Sequence, residues 1–192
     1  MLAELGLGEI LAVVGGLVGL AGFGLGLWQF AEAQKWRKAE LASQLLARLR
    51  TEAELDTCLR ALDWSTRFLP VPESYRYEFP DTKFEHNWDE LAIAMKHETE
   101  VGSGRFTPGQ ALYRDLFDRF FTYLESIEHA ISIGLIEKEH VESLRYWLET
   151  VAKPRFAPEP VFDVFLQRYD YDGVILLMKR FGITLKTATP SA

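Results

Sequence analysis

The sequence predicts an all-α protein, in which an N-terminal transmembrane helix continues into an antiparallel bundle of about five to six helices. Residues 10–30 (ILAVVGGLVGLAGFGLGLWQF) carry no charge, and about 20 apolar residues are enough to span a bilayer as a helix. Most of the remaining chain repeats apolar residues every three to four positions, the period of a helix with one buried face. We therefore predict a membrane anchor over 1–30, a helical domain over 31–182 and a disordered tail over 183–192.

A cleaved signal peptide is the alternative to a membrane anchor. Ala31-Glu32-Ala33 resembles a small-x-small cleavage site. However, the segment before the apolar run (MLAELGLGE) is acidic, whereas a signal peptide begins with basic residues, and the run is longer than the roughly 7 to 15 residues of a signal core. Both differences favour the anchor.

The charges around the apolar run predict its orientation. No basic side chain precedes the run, whereas a basic cluster follows it: Lys35, Arg37 and Lys38. The positive-inside rule then places the helical domain in the cytoplasm and the N-terminus outside the inner (plasma) membrane. We expect Trp28 and Trp36 to lie in the lipid headgroup layer with these basic residues, which either attract anionic lipid or only set topology and depth.

Small residues predict a packing surface on the membrane helix. They recur at intervals of four and three residues: Gly8, Ala12, Gly15, Gly19, Gly22 and Gly26. This spacing keeps all six on one stripe of a helix, where a second helix can approach backbone to backbone. The stripe predicts association with another copy of the chain or with a different membrane protein. The simpler interpretation is that glycine is common in membrane spans.

The first part of the helical domain is predicted from an apolar face and a capping motif. The membrane helix is expected to continue to Arg50, with an inward face of Leu41, Leu45, Leu46 and Leu49. Thr51-x-x-Glu54 has the spacing of a capping box, which predicts a second helix that ends at Pro70. Its inward residues are Leu55, Leu59, Leu62 and Phe68. The alternative is that Thr51 marks only a kink in the helix.

Residues 70–86 are predicted to form an aromatic loop. Three prolines in this segment exclude a helix, and its aromatic residues alternate with charged ones as in an extended chain. Because no partner strand is evident, no sheet is expected. The loop either lies across the bundle or binds a partner, and the binding residues would be Tyr75, Tyr77, Phe79 and Phe84.

Capping residues divide the rest of the chain into helices. Asn87-x-x-Glu90 opens a short helix through Met95, and Thr107-Pro108 opens a long one that ends before Gly134. The long helix has a core stripe of Tyr113, Phe117, Phe120, Leu124, Ile127 and Ile131. A helix over 138–151 follows, with Val141, Leu144, Leu148 and Val151 inward. Two shorter helices, over 160–169 and 174–181, are expected to join at an Asp172-Gly173 turn.

Several of these segments resemble those of uncharacterised bacterial proteins that pair one N-terminal membrane helix with a small cytoplasmic helical domain. The segments are Leu62-Asp63-Trp64, the helix from Tyr113 to Leu124, Gly134-Leu135-Ile136 and Tyr146-Trp147-Leu148. The resemblance extends over residues 10–152. It implies this architecture and a bacterial membrane location, and it brings no catalytic residues.

No catalytic, cofactor or metal site is predicted. Glu125, Glu128 and His129, with Glu137-x-x-His140, provide only one of the two Glu-x-x-His pairs of a di-iron bundle. Asp170-x-Asp172-Gly173 lacks the Glu at position 12 of a calcium loop. His86, His97, Glu98 and Glu100 share the middle of the chain without a ligand spacing. The single cysteine, Cys58, excludes an internal disulfide and is expected in the core.

The small-residue stripe and the lack of a reactive centre favour interaction at a membrane as the function. The 192 residues include 21 Lys and Arg against 28 Asp and Glu, and this acidic balance argues against nucleic acid as a partner. We expect a membrane-tethered assembly or accessory subunit that contacts lipid and other transmembrane helices. One alternative is a ligand- or stress-sensing effector that forms an oligomeric pore. Another is a membrane-bound enzyme that uses the region of His86, His97 and Glu98.

Overall fold

The computed structural model describes residues 7–79, 81–102, 104–157 and 161–185. These residues form a mainly helical protein with one small antiparallel sheet. The helices are α1 (Leu7–Thr51), α2 (Ala53–Asp63), α3 (Trp88–Ala94), α4 (Pro108–Ser132), α5 (Arg145–Ala152), α6 (Phe162–Arg168) and α7 (Asp172–Arg180). The strands are β1 (Thr66–Pro70) and β2 (Lys83–Asn87). The predominance of helix is confirmed, whereas the expectation of no sheet is wrong.

Helix α1 has two parts with different surroundings. Its 45 residues extend about 66 Å at 1.5 Å per residue. Every described side chain from Gly8 to Phe30 is exposed, whereas Ala42 and Leu49 are buried. Among the described residues, α1 is the one helix long and apolar enough to cross a membrane. The same helix therefore presents an exposed apolar surface and a face of the protein core.

The junction between α1 and α2 differs from the predicted capping box. Helix α1 includes Thr51, and the extended residue at the junction is Glu52, whose side chain makes no cap hydrogen bond. The Glu52 carboxylate instead accepts a hydrogen bond from Nε of Arg48 at 2.7 Å. The backbone N–H of Glu52 donates to the Arg48 carbonyl at 2.9 Å. The helix therefore changes direction one residue later than expected.

Helix α2 ends seven residues before Pro70, because strand β1 forms where helix was predicted. Trp64 is extended (φ −119°, ψ 145°), and β1 pairs with β2 in a register from Thr66 opposite Asn87 to Pro70 opposite Lys83. Phe68, expected inward on the helix, is 65% exposed on the strand. Pairing with residues 13 to 21 positions away overrides the local helical pattern.

Helix α4 is the centre of the core, as its stripe predicts. Thr107 and Gln110 form a capping box at its start. The stripe residues from Tyr113 to Ile127 are buried, and Ile131 is partly buried. Helix α4 packs against α2, α3 and α7, and its Phe117 and Phe121 rings lie 5.1 and 5.6 Å from the ring of Phe162 on α6.

After α4 the chain turns and then forms two short segments in place of one predicted helix. Gly134 has a φ of +74°, the left-handed conformation that its position after the helix predicts. Residues 138–144 form a 3₁₀ segment that is kinked at Val141 (φ −119°, ψ 22°), and α5 follows it. The predicted inward residues Val141, Leu144, Leu148 and Val151 are nevertheless buried.

The last two helices are joined at a different turn from the predicted one. The turn residue is Asp170 (φ +56°), and Asp172 already belongs to α7. Gly173 lies against Glu125, and a Cβ at Gly173 would be 2.9 Å from Cγ of that side chain. Beyond α7, Ile183 and Leu185 pack on the core, so packed chain continues past residue 182. The rest of the predicted tail lies outside the described residues.

Candidate functional site

The exposed half of α1 is an apolar surface with no contact to the helical domain. Its large apolar side chains are each more than half exposed: Leu11, Val14, Leu17, Val18, Leu20, Phe23, Leu25, Leu27, Trp28 and Phe30. Soluble monomers rarely expose an apolar patch larger than a few hundred Å². A surface of this kind requires lipid or another protein as its neighbour.

The small-residue stripe lies open along this half. Gly8, Ala12, Gly15, Gly19, Gly22 and Gly26 fall within about 80° of one another at 100° per residue, and all are exposed. Outside the helix backbone, no described atom lies within 4 Å of the position that a Cβ would occupy at any of the five glycines. The structure thus brings the predicted stripe together on an uncovered face, where a second helix could approach closely.

The predicted membrane-interface residues differ in their surroundings. Four of the five lie at the surface of α1, and the fifth contacts the helical domain. Trp28 is 65% exposed and Trp36 is 72% exposed. Lys35 forms an exposed ion pair with Glu32 at 3.5 Å, and Arg37 is exposed. Lys38 has a different role, because its Nζ lies 3.0 Å from Oε1 of Glu137 in the segment after α4. This hydrogen bond is the main cause of the lowered pKa of Glu137.

The four aromatic residues proposed for partner binding lie in different surroundings. Tyr77 is 98% exposed, whereas Phe84 is buried on β2. Tyr75 and Phe79 are partly buried and line a small cavity of about 130 Å³ beside the start of α4. Residues 73–75 form a 3₁₀ turn, not the predicted extended segment. The structure therefore presents one of the four side chains, Tyr77, fully to a partner.

The acidic residues of α4 that were considered as metal ligands contact neighbouring helices. Glu128 is 3% exposed, and the Nε–H of Arg180 donates a bifurcated hydrogen bond to both of its carboxylate oxygens, each 2.8 Å from Nε. Glu125 accepts a hydrogen bond at 3.0 Å from the backbone N–H of Gly173. Both contacts attach α7 to α4. Among the described residues, no three His, Cys, Asp or Glu side chains are grouped so that they could hold a metal ion.

The other histidines and carboxylates considered above lie apart or at the surface. His97 begins a 3₁₀ turn and shares a capping box with Glu100, whose carboxylate also accepts hydrogen bonds from Arg168 at 2.7 and 3.1 Å. Glu98 is exposed, as is His129. His140 Nδ1 accepts a hydrogen bond from the backbone N–H of Glu137 at 3.2 Å.

Cys58 is buried within the core. Its thiol donates to the carbonyl of Leu116 at 3.2 Å, and burial raises the pKa of the thiol well above its ordinary value. The protonated, buried thiol is a poor nucleophile.

A buried polar cluster around His86 has no signal in the sequence. His86 Nδ1 accepts a hydrogen bond from the Tyr113 hydroxyl at 2.6 Å, and its Nε2–H donates to the Trp64 carbonyl at 3.0 Å. The Tyr113 hydroxyl accepts from the backbone N–H of Asn87 at 3.1 Å. Burial lowers the pKa of His86 and raises that of Tyr113. The cluster joins the sheet to α4, and only the folding of α2, β2 and α4 together creates it.

An open groove beside α5 was also not predicted. It has a volume of about 610 Å³ and is lined by Tyr146, Lys153, Arg155 and Ile183, among others. The Tyr146 hydroxyl donates to Oδ1 of Asp63 at 2.6 Å, and the Arg155 guanidinium lies 5.7 Å from the centre of the Tyr146 ring. These contacts join α5 to the end of α2.

No known protein family, curated protein sequence or solved structure matches the chain. No residue role can therefore be transferred from a relative.

Proposed function

We propose that the protein is a single-pass membrane protein that acts as an assembly or accessory subunit. Residues 10–30 of α1 span the inner (plasma) membrane, with the N-terminus outside and the helical domain in the cytoplasm. The basic cluster of Lys35, Arg37 and Lys38 supports this orientation through the positive-inside rule. Lipid and other transmembrane helices are the proposed partners, and the acidic chain argues against nucleic acid.

The observation that carries the proposal is the uncovered glycine stripe on α1. Most large apolar residues of the domain pack in one core, whereas the stripe glycines contact no other part of the described chain. In lipid, helices associate through close packing at small residues, since burial from water no longer drives them together. We therefore propose that the stripe binds a second helix, either from another copy of the chain or from a different membrane protein.

A double substitution on the stripe tests this proposal. In Gly15→Leu with Gly22→Leu, two leucine side chains prevent close approach, and we expect association to weaken by about tenfold or more. The measurement is the native mass of the tagged full chain, extracted in mild detergent from its own membrane, with identification of the proteins that copurify.

Gly16→Leu with Gly24→Leu is the matched control. These glycines lie about 80° and 160° from the centre of the stripe, so the control makes the same chemical changes on other faces. We expect its native mass to equal that of the unmodified chain. If the stripe variant also keeps the original mass and partners, the stripe is not the binding surface.

The continuity of α1 favours the sensing effector as a second candidate. One uninterrupted helix links the exposed stripe to Ala42 and Leu49 in the core, so a movement of the domain would move the membrane half. A stripe-lined oligomer would then form the pore. Leakage from vesicles that contain the purified chain, measured with and without cell extract, tests this candidate. No leakage in either condition would contradict it.

A further inference from the structure

The turn after α4 exposes two large apolar side chains. Ile133 is 55% exposed and Leu135 is 50% exposed, while the next residue, Ile136, is 1% exposed. Gly134 lies between the two exposed residues in the left-handed conformation (φ +74°), which directs the chain back toward the core. We refer to Ile133, Gly134 and Leu135 as the apolar tip.

Two contacts hold the chain before and after the apolar tip against α1. The Tyr123 hydroxyl donates to the Leu45 carbonyl at 2.7 Å, and Glu137 pairs with Lys38 at 3.0 Å. The chain after Tyr123 therefore passes along α1 toward the exposed half of that helix.

Distances along α4 and α1 show which part of α1 lies beside the tip. Ile133 follows Tyr123 by about 15 Å of helix. An equal distance back from Leu45 along α1 reaches Lys35, next to Trp36. Glu137, two residues after Leu135, pairs with Lys38, so the apolar tip lies close to the residues that we assign to the membrane interface.

We propose that the apolar tip inserts into the lipid headgroup layer of the membrane that α1 spans. This inference rests on the proposed function, because it requires α1 to be inserted. Lys138 follows Leu135 by three residues, and its Nζ lies 5.4 Å from the centre of the Phe181 ring. In the basic cluster, Lys35 pairs with Glu32 and Lys38 pairs with Glu137, whereas Arg37 is exposed. Basic residues beside exposed apolar ones match the surface of an anionic bilayer.

A second membrane contact would fix the orientation of the domain. With α1 alone, the domain can rotate about the helix axis. Contact at both α1 and the tip selects one orientation, in which the start of α4 points away from the bilayer. Tyr77 lies near that end, since Tyr75 and Phe79 line a cavity with Pro108 and Leu112. The length of α4, about 36 Å from Pro108 to Ser132, separates Tyr77 from the tip.

Lipid quenching of a fluorophore at single positions tests the inference. The full chain carries Cys58→Ala and one new cysteine, either Leu135→Cys, Tyr77→Cys or Leu25→Cys, labelled with the environment-sensitive dye NBD. Each protein is reconstituted into vesicles of phosphatidylcholine and phosphatidylglycerol that contain nitroxide-labelled lipid. We expect the label at 135 to be quenched several-fold more than the label at 77, most strongly by a nitroxide near the headgroup. The label at 25 is expected to be quenched most strongly by a nitroxide deep in the acyl chains.

The three positions separate failure of this inference from failure of the proposed function. If the label at 25 is quenched but the label at 135 behaves like that at 77, the tip does not contact lipid and α1 is still inserted. A blue-shifted label at 135 without lipid quenching would indicate contact with protein and would also overturn the inference. Absence of quenching at all three positions would overturn both the inference and the membrane anchor.

Discussion

The two halves of α1 have similar backbones and opposite environments. Between Gly8 and Phe30 every described side chain is exposed, including Phe23 at 67%. Between Ala42 and Leu49 the helix contributes two fully or nearly fully buried side chains to the core, and Tyr123 of α4 bonds to its backbone at Leu45. The difference lies in which residues surround each half.

Apolar residues have different surroundings in the two halves of α1. In the second half, apolar residues recur on one face and pack against α2 and the segment after α4. In the first half they occur on all faces, and no part of the described chain covers them. A helix that is apolar all round requires lipid or a large protein core, and the domain supplies no such core there.

Charged residues in the first half of α1 should have the largest effect, which is a loss of membrane insertion. In Leu17→Arg with Leu20→Arg, each arginine near the centre of the span costs about 2.5 to 3.5 kcal/mol of insertion free energy. We expect most of the protein to leave the membrane fraction. Fractionation of cells that express the tagged chain measures this effect.

The control for this prediction carries the same substitutions in the second half of α1. Gln44→Arg with Ala47→Arg has the same spacing, and both positions are exposed. We expect this variant to remain in the membrane fraction. Equal membrane binding of the two double variants would show that the first half does not insert.

The next largest effect is expected on the free energy of unfolding, when one aromatic ring is removed from the core or from the exposed half of α1. Phe121 is fully buried, so Phe121→Ala is expected to lower the free energy of unfolding of the domain by about 3 to 5 kcal/mol. Phe23→Ala removes the same group from an exposed position and should change it by less than about 0.5 kcal/mol. Chemical denaturation of both proteins in detergent, followed by circular dichroism, measures the two values. A large loss with Phe23→Ala would mean that the first half packs on the domain.

A change of pH should have the smallest effect. It should alter the stability of the domain and leave the membrane attachment of the first half of α1 unchanged. Burial lowers the pKa of His86 in the folded state below its ordinary value of about 6.5. The unfolded state therefore binds the proton first, and the contribution of His86 to stability is complete above about pH 6.5 and decreases as the pH falls below it. Thermal unfolding between about pH 8 and pH 5 measures this loss.

His86→Gln should reduce this pH dependence, whereas the surface variant His97→Gln should retain it. The span contains no titratable side chain over residues 10–30, so membrane attachment should stay constant over the same range. A pH profile unchanged in His86→Gln would assign the effect to other groups.

Local patterns predicted the elements that depend on neighbouring residues. Thr107 caps α4 with Gln110 as its partner. The Asn87 side chain accepts the predicted hydrogen bond from the backbone N–H of Glu90, but the reciprocal bond of a capping box is absent, because the Asn87 backbone N–H donates to the Tyr113 hydroxyl. The α4 stripe is buried from Tyr113 to Ile127, because residues three and four apart share a helix face. In contrast, Thr51 failed as a cap, since the Glu52 carboxylate bonds to Arg48 and the helix continues.

The candidate site was predictable to the extent that it lies on one helix. Six small residues on α1 share a face by spacing alone, so their grouping needs no tertiary contact. The sequence does not show which aromatic residues of the 70–86 segment are buried. The burial of Phe84 and the exposure of Tyr77 depend on which of them contacts α4. The apolar tip at Ile133 and Leu135 was not recognised, since its place beside the basic cluster depends on the pairing of Lys38 with Glu137.

Neighbouring residues in the sequence are enough to predict the apolar span, the glycine stripe, the core stripe of α4 and the turn at Gly134. All of these depend on side chains within a few residues of one another. The folding of distant segments against one another sets the β1–β2 pairing, the His86 cluster and the attachment of α7 to α4 through Glu128 and Arg180. Those features join residues 13 to 52 positions apart, and a local pattern carries no information about such partners.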